Sequence, residues 1–188
     1  MLRRSSNSNV QRGAFTIELA LVLVFVTGFF VMQVNFLVAT AKKGQMDRLA
    51  YSLVSVMSER RELFRDEGDI CRYAGECKLL AAELYAVGIS AMNRMSNQFD
   101  SNKFGIRIEE LVVYPDRQVY AMREVGWVTG CNFTPLREVD KIIPTTSRNR
   151  KLPVYKVSLC YRTPFNILGA SKGELLNVVT SAFSFARI

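Results

Sequence analysis

The chain contains no histidine. That removes the side chain most often used as a general base and as a metal ligand. No Gly-Lys-Ser/Thr triplet occurs, so Gly169-Ala170-Ser171-Lys172-Gly173 is expected to be a turn rather than a phosphate loop. A Ser-x-x-Lys motif and a Gly-x-Ser-x-Gly elbow are also missing, which leaves no activated serine. Glu109 and Glu110 are adjacent; on a strand they point to opposite faces and cannot work together. These absences argue against an enzyme and against a bound metal or cofactor. No nucleic-acid-binding motif is present, and no internal repeat or low-complexity tract.

Charge is missing from one long stretch. From Ala14 to Ala41 the only ionisable side chain is Glu18, and no second run of this kind follows. At ~1.5 Å per residue the run is roughly 40 Å long as a helix, more than the ~30 Å hydrocarbon layer requires. A buried core helix needs only one apolar stripe, so the composition points to a transmembrane helix. A cleaved secretory signal has a shorter apolar region. The small residues Ala39 and Ala41 offer a cleavage-like pattern on paper, but they run straight into Lys42-Lys43. Arg3, Arg4 and Arg12 precede the run and place its N-terminal side in the cytoplasm. A carboxylate within such a segment is costly and marks a functional position. Glu18 also lies in the first turns of the run, where the helix dipole favours negative charge.

The order Gly13, Ala14, Phe15, Thr16, Ile17, Glu18 resembles the processing site of type IV prepilins and pseudopilins. The stretch Thr16-Ile17-Glu18-Leu19-Ala20-Leu21-Val22-Leu23 looks most like the pseudopilins of the tight adherence (Tad) pilus, the TadF group, with TadE a near relative. Two departures separate the chain from major pilins. Leu19 stands where tyrosine usually follows the glutamate, and a large exterior domain is attached. Ala14 stands where type IVa pilins usually begin with phenylalanine.

The resemblance implies that a prepilin peptidase cuts after Gly13, that Ala14 becomes the new terminus, and that Glu18 and Phe15 serve recognition and assembly. Physically, glycine lets the backbone enter a tight active site. The freed amine of one subunit could then be neutralised by Glu18 of a neighbour. The implied organisation is a cleaved cytoplasmic leader over 1–13, a transmembrane helix over 14–41 and an exterior, periplasmic domain over 42–188. The implied role is a minor, non-enzymatic pseudopilin in a bacterial inner membrane, priming or capping a Tad (type IVc) adhesion pilus. Its partners would be the peptidase, TadE-like and major Flp-type pilin subunits, the inner-membrane assembly platform and membrane lipid. A minor pseudopilin of type II secretion, and a single-pass anchored binding or sensor domain, are the alternatives.

Net charge is +8, of which three charges lie in the leader, leaving a mild +5. That permits contact with anionic lipid or acidic partners. The Cys71–Cys77 spacing is too wide for a zinc knuckle, so disulfides are the expectation for Cys71, Cys77, Cys131 and Cys160. Four cysteines allow three pairings. Closeness in sequence favours Cys71–Cys77 with Cys131–Cys160, and buried free thiols remain the alternative.

Beyond Ala41 the periodicity predicts a continuing helix with Met46, Leu49, Leu53, Val56 and Leu63 on one face. Gly44 is the expected bend, and the Asp66–Asp69 cluster around Gly68 the stop. A second helix is expected from about Lys78 to Asn97, with Leu80, Leu84, Val87, Ala91 and Met95 inward and Met92 and Met95 as core filler. Alternation then predicts strands from Phe104, over Gln118–Thr129, over Val154–Arg162 and over Leu175–Phe185. Tyr114-Pro115-Asp116-Arg117 reads as a turn and Asn132–Pro153 as a loop. Within that loop Arg148-Asn149-Arg150-Lys151 reads as solvated, and Trp127 as core. The fold class is therefore α+β and pilin-like: a long N-terminal transmembrane helix, a second helix and four antiparallel strands.

Overall fold

A computed structural model describes residues 8–64, 70–71, 74–137, 143–145, 151–163 and 177–186. The chain divides into two compact units, Met1–Val38 and Ala39–Ile188. Its named elements are α1 (Ser8–Phe64), α2 (Ala74–Met95), a 3-10 turn (Ser101–Lys103), and strands β1 (Phe104–Val113), β2 (Gln118–Gly126), β3 (Val154–Arg162) and β4 (Asn177–Phe185). All strand pairs are antiparallel, in the order β2-β1-β3-β4. The α+β architecture expected from the sequence is thus present. Gly44, where the sequence places a bend, remains α-helical. The Gly68 stop and the Gly169–Gly173 turn lie outside the described residues.

In the first unit, from Leu19 to Val38, α1 carries no charge and exposes large apolar side chains all round, and its interior backbone polar groups pair within the helix, as a hydrocarbon environment demands. Polar side chains follow the same rule. Thr27 Oγ1 donates to Leu23 O at 2.8 Å, and Asn35 Nδ2 to Val31 O at 3.0 Å.

In the second unit α1 buries Met46, Leu49, Ala50, Leu53, Val54 and Met57. Val56, expected on this face, is 51% exposed instead. Eleven residues make just over three full turns, so Met57 falls back over Met46 while Val56 is rotated ~80° away. The side chain of Leu63 is outside the described set. Helix α2 begins at Ala74 and ends at Met95, earlier at both ends than expected, and buries Cys77, Leu80, Ala81, Leu84 and Met92. Val87 and Met95 are exposed, so Met95 is not core filler. Gly88 explains the misreading. A Cβ there would meet the Phe104 ring at 3.1 Å, so the centre of the contact face is a residue that carries no hydrophobic signal.

One sheet face packs on the helices. Phe104, Ile106 and Ile108 of β1 and Tyr155, Val157, Leu159 and Tyr161 of β3 join the helical residues in the main core. On β4 the alternation puts Thr180, Ala182 and Ser184 on the helix side and Val179, Phe183 and Phe185 on the other. The small inward residues admit α1 closely: Thr180 Oγ1 donates to Asp47, and Ser184 Oγ lies 3.3 Å from Ser58 Oγ.

Strand β2 ends at Gly126, three residues short of the expected Thr129. Gly126 has φ +81°, and a Cβ there would lie 2.5 Å from Phe104 O and from the Tyr85 ring. The chain turns across the sheet end, where Trp127 N–H donates to Phe104 O at 2.9 Å. Trp127 itself is half-buried, its ring 5.9 Å from the Arg162 guanidinium, and not part of the main core.

Candidate functional site: the anchor and the buried carboxylates

Gly13, Ala14, Phe15 and Glu18 all lie on α1, but the helix starts at Ser8, so Glu18 is ten residues in and not, as the sequence suggests, in the first turn, where the helix dipole would favour it. Ala14 and Glu18 are one turn apart, roughly 6 Å along the axis and on the same side. Phe15 is 65% exposed and Glu18 is exposed. From Ile17 to Val38 the large side chains, including Leu21, Phe25, Phe30 and Leu37, are exposed as well. An apolar surface of this extent needs lipid or other helices to cover it. Among the described residues one helix is long and apolar enough to cross a membrane, with a mean hydropathy of 2.3. It fits a single-pass anchor.

The cysteines lie elsewhere. Cys71 is joined to Cys77, with a Cα–Cα distance of 4.5 Å, and Cys131 to Cys160, at 6.2 Å. Each bridge sits beside a segment held down by one of the two adjacent glutamates of β1. Glu110, 1% exposed, faces the helices and accepts from Ile70 N at 2.8 Å and Cys71 N at 2.7 Å. It thereby fastens residues 70 and 71 to β1.

Glu109, fully buried, faces the other way. Its Oε1 accepts from Tyr120 Oη at 2.6 Å and from Leu136 N at 3.0 Å. Its Oε2 makes no hydrogen bond among the described residues but lies 3.6 Å from Lys156 Nζ, which donates to Thr134 O. Residues 127–137 form a strap over the outer sheet face. It is held by these bonds, by the Cys131–Cys160 bridge, by Asn177 Nδ2 donating to Gly130 O at 2.7 Å, and by stacked cations. Arg107 lies 4.5 Å over Phe133 and Arg137 lies 5.7 Å over Tyr120. Leu111, Leu136 and Val154 make a small second core beneath it.

Adjacent carboxylates in an apolar strand, and a lysine in a clean alternation, were the visible signals. Sequence gives only their opposite facing, not their partners, because those partners are backbone groups of distant loops. Both glutamates are buried, and each holds at least one backbone N–H of a distant segment. Their chemistry is fastening.

Burial, then the Glu109 hydrogen bond and charge, push the Tyr120 phenol well above its ordinary value. A raised folded value means that the neutral phenol stabilises fully below the unfolded value of about 10, and that this stabilisation fades as pH climbs through the folded value. Urea midpoints measured from pH 8 to 11 should therefore fall more steeply for the native chain than for Tyr120→Phe. Equal slopes would show that this phenol is not coupled to folding.

A family model matches residues 7–182: TadF, described as "Putative tight adherence pilin protein F". No curated protein and no solved structure matches the chain.

Proposed function

The chain belongs to the TadF family of tight adherence pilin proteins, and from that premise we propose that it is a minor, non-enzymatic pilin-like subunit cut after Gly13 before it joins a Tad-type pilus. The observation that carries this reading is Glu18. It is the one carboxylate on a helix otherwise apolar from Ala14 to Ala41, one turn beyond the residue that processing would expose. An ionised group at that depth is tolerable only with a cation nearby. A new α-amine on an adjoining subunit supplies one, and the pairing would fix the axial register of packed helices. The family match, which runs from residue 7 through the anchor and almost the whole exterior domain, supports the Tad pilus over a type II secretion apparatus.

The reading places the N-terminus in the cytoplasm and the bulk of the chain in the periplasm or the fibre. The prepilin peptidase, TadE-like and major pilin subunits, and the assembly platform are its partners, and bilayer lipid surrounds the anchor. N-terminal sequencing of protein extracted from membranes of peptidase-expressing cells should give Ala14. A chain still beginning at Met1 would overturn processing. Glu18→Gln should insert normally and be cleaved, yet co-purify with other pilin subunits at least tenfold less. Unchanged recovery would make Glu18 incidental.

A further inference from the structure

The end of α2 and the turn after it lie beside the start of the second unit's part of α1. Lys42 Nζ donates to Ser96 Oγ, and Gln45 Nε2 donates to Met95 O at 3.3 Å. Lys42 directly follows the apolar run in sequence, so Met95 and Ser96 lie beside the first residues after that run. That corner is cationic. Lys42 and Lys43 on α1 and Arg94 on the last turn of α2 carry its charge; Lys43 and Arg94 are exposed, and Arg94 Nη2 lies 3.4 Å from Ser90 Oγ. The nearby acidic residues are engaged: Asp47 accepts from Thr180, and Asp100 pairs with Lys103 at 3.1 Å and accepts from Asn102 N. Asn93, Asn97 and Gln98 add exposed uncharged donors, and Met95 adds an apolar side chain that is 38% exposed.

We propose that this corner, Lys42, Lys43 and Arg94 with Met95 and the Ser96–Lys103 turn, binds the headgroups of anionic phospholipids. Three considerations support it. The headgroup layer extends roughly 5–7 Å beyond the hydrocarbon, so a residue one position past the apolar run lies within it. Basic side chains at that level gain from the surface potential of anionic lipid, an attraction that decays over about 8 Å at physiological ionic strength. An exposed methionine among cations and amides suits a boundary that is apolar below and charged above. Burial beside α2 also holds the Lys42 ammonium below its ordinary value, and an adjacent phosphate would restore it. The inference rests on the anchor reading and adds a second, headgroup-specific contact outside the hydrocarbon.

The test uses the full chain in nanodiscs of phosphatidylcholine alone or with about one-third phosphatidylglycerol, read by amide hydrogen exchange of peptides covering residues 94–103. Exchange should slow about fivefold or more in the anionic discs. The slowing should vanish in 0.5 M salt and in a Lys43→Gln/Arg94→Gln variant. Equal exchange in both discs, or slowing that survives both the salt and the variant, would overturn the proposal. So would the same slowing produced by inorganic phosphate added to neutral discs, which would assign the corner to free anions. Insertion into both kinds of disc keeps failure here separate from failure of the anchor reading.

Discussion

Glu109→Ala is expected to cost about 3–5 kcal/mol of unfolding free energy. Whole domains are held by only about 5–15 kcal/mol, so the variant should be near its folding limit. The reason is the company Glu109 keeps. Removing the carboxylate leaves the Lys156 ammonium, 7% exposed at its side chain, with no counter-ion at 3.6 Å. It also orphans the Leu136 N–H and the Tyr120 hydroxyl. The loss is thus dominated by what stays behind, not by the worth of the pair. Replacing both members, Glu109→Leu with Lys156→Met, should recover more than half of the deficit, since a well-packed apolar pair avoids desolvating two ions. Urea unfolding of the full chain in detergent, followed by near-ultraviolet circular dichroism, measures both. A single substitution costing under 1 kcal/mol would mean that the lysine finds water and that the strap is not sealed.

Removing the Cys131–Cys160 bridge by a double alanine substitution should cost about 3.5 kcal/mol on the loop-closure estimate. The bridged residues are 29 apart in sequence, whereas Cys71 and Cys77 are 6 apart, for which the same estimate gives only about 2.4 kcal/mol. The longer bridge should also matter locally. It fastens the strap next to Gly105, where an added Cβ would sit 2.0 Å from Trp127 O, so the strap and β1 are in backbone contact. Exchange of amides over residues 128–136 should therefore rise well before global unfolding. A deficit equal to that of a Cys71→Ala/Cys77→Ala variant would show that loop size does not govern the effect.

The elements were legible in the sequence where one side chain per turn or per pleat carried the pattern. Tyr155, Val157, Leu159 and Tyr161 alternate cleanly and all face the core. The anchor was legible because the twenty-three residues from Leu19 to Ala41 carry no charge, and so long an uncharged, mostly apolar run has few physical uses. The α2 face was misassigned at its centre because Gly88 is silent in any hydrophobic pattern, although the close approach of Phe104 requires it. The end of β2 was misplaced because positive φ at Gly126 is a backbone property that hydropathy does not report. For the candidate site, the Gly13–Glu18 spacing was plain from the residues. The strap cluster was not, since Glu109 meets Leu136 and Lys156 only after the sheet has formed.

The two neighbouring glutamates of β1 look in opposite directions along the chain as well as across the sheet. Glu110 grips residues 70 and 71, which are made before it, while Glu109 needs residues 120, 136 and 156, which come after. A polypeptide emerging N-terminus first can therefore complete one half of this arrangement at once. It must keep the other half solvated until nearly fifty more residues have appeared. Until β3 has been made, the outer face of β1 stays wet and one of its edges unpaired, so an arrest in that interval exposes a bare sheet edge on the growing chain.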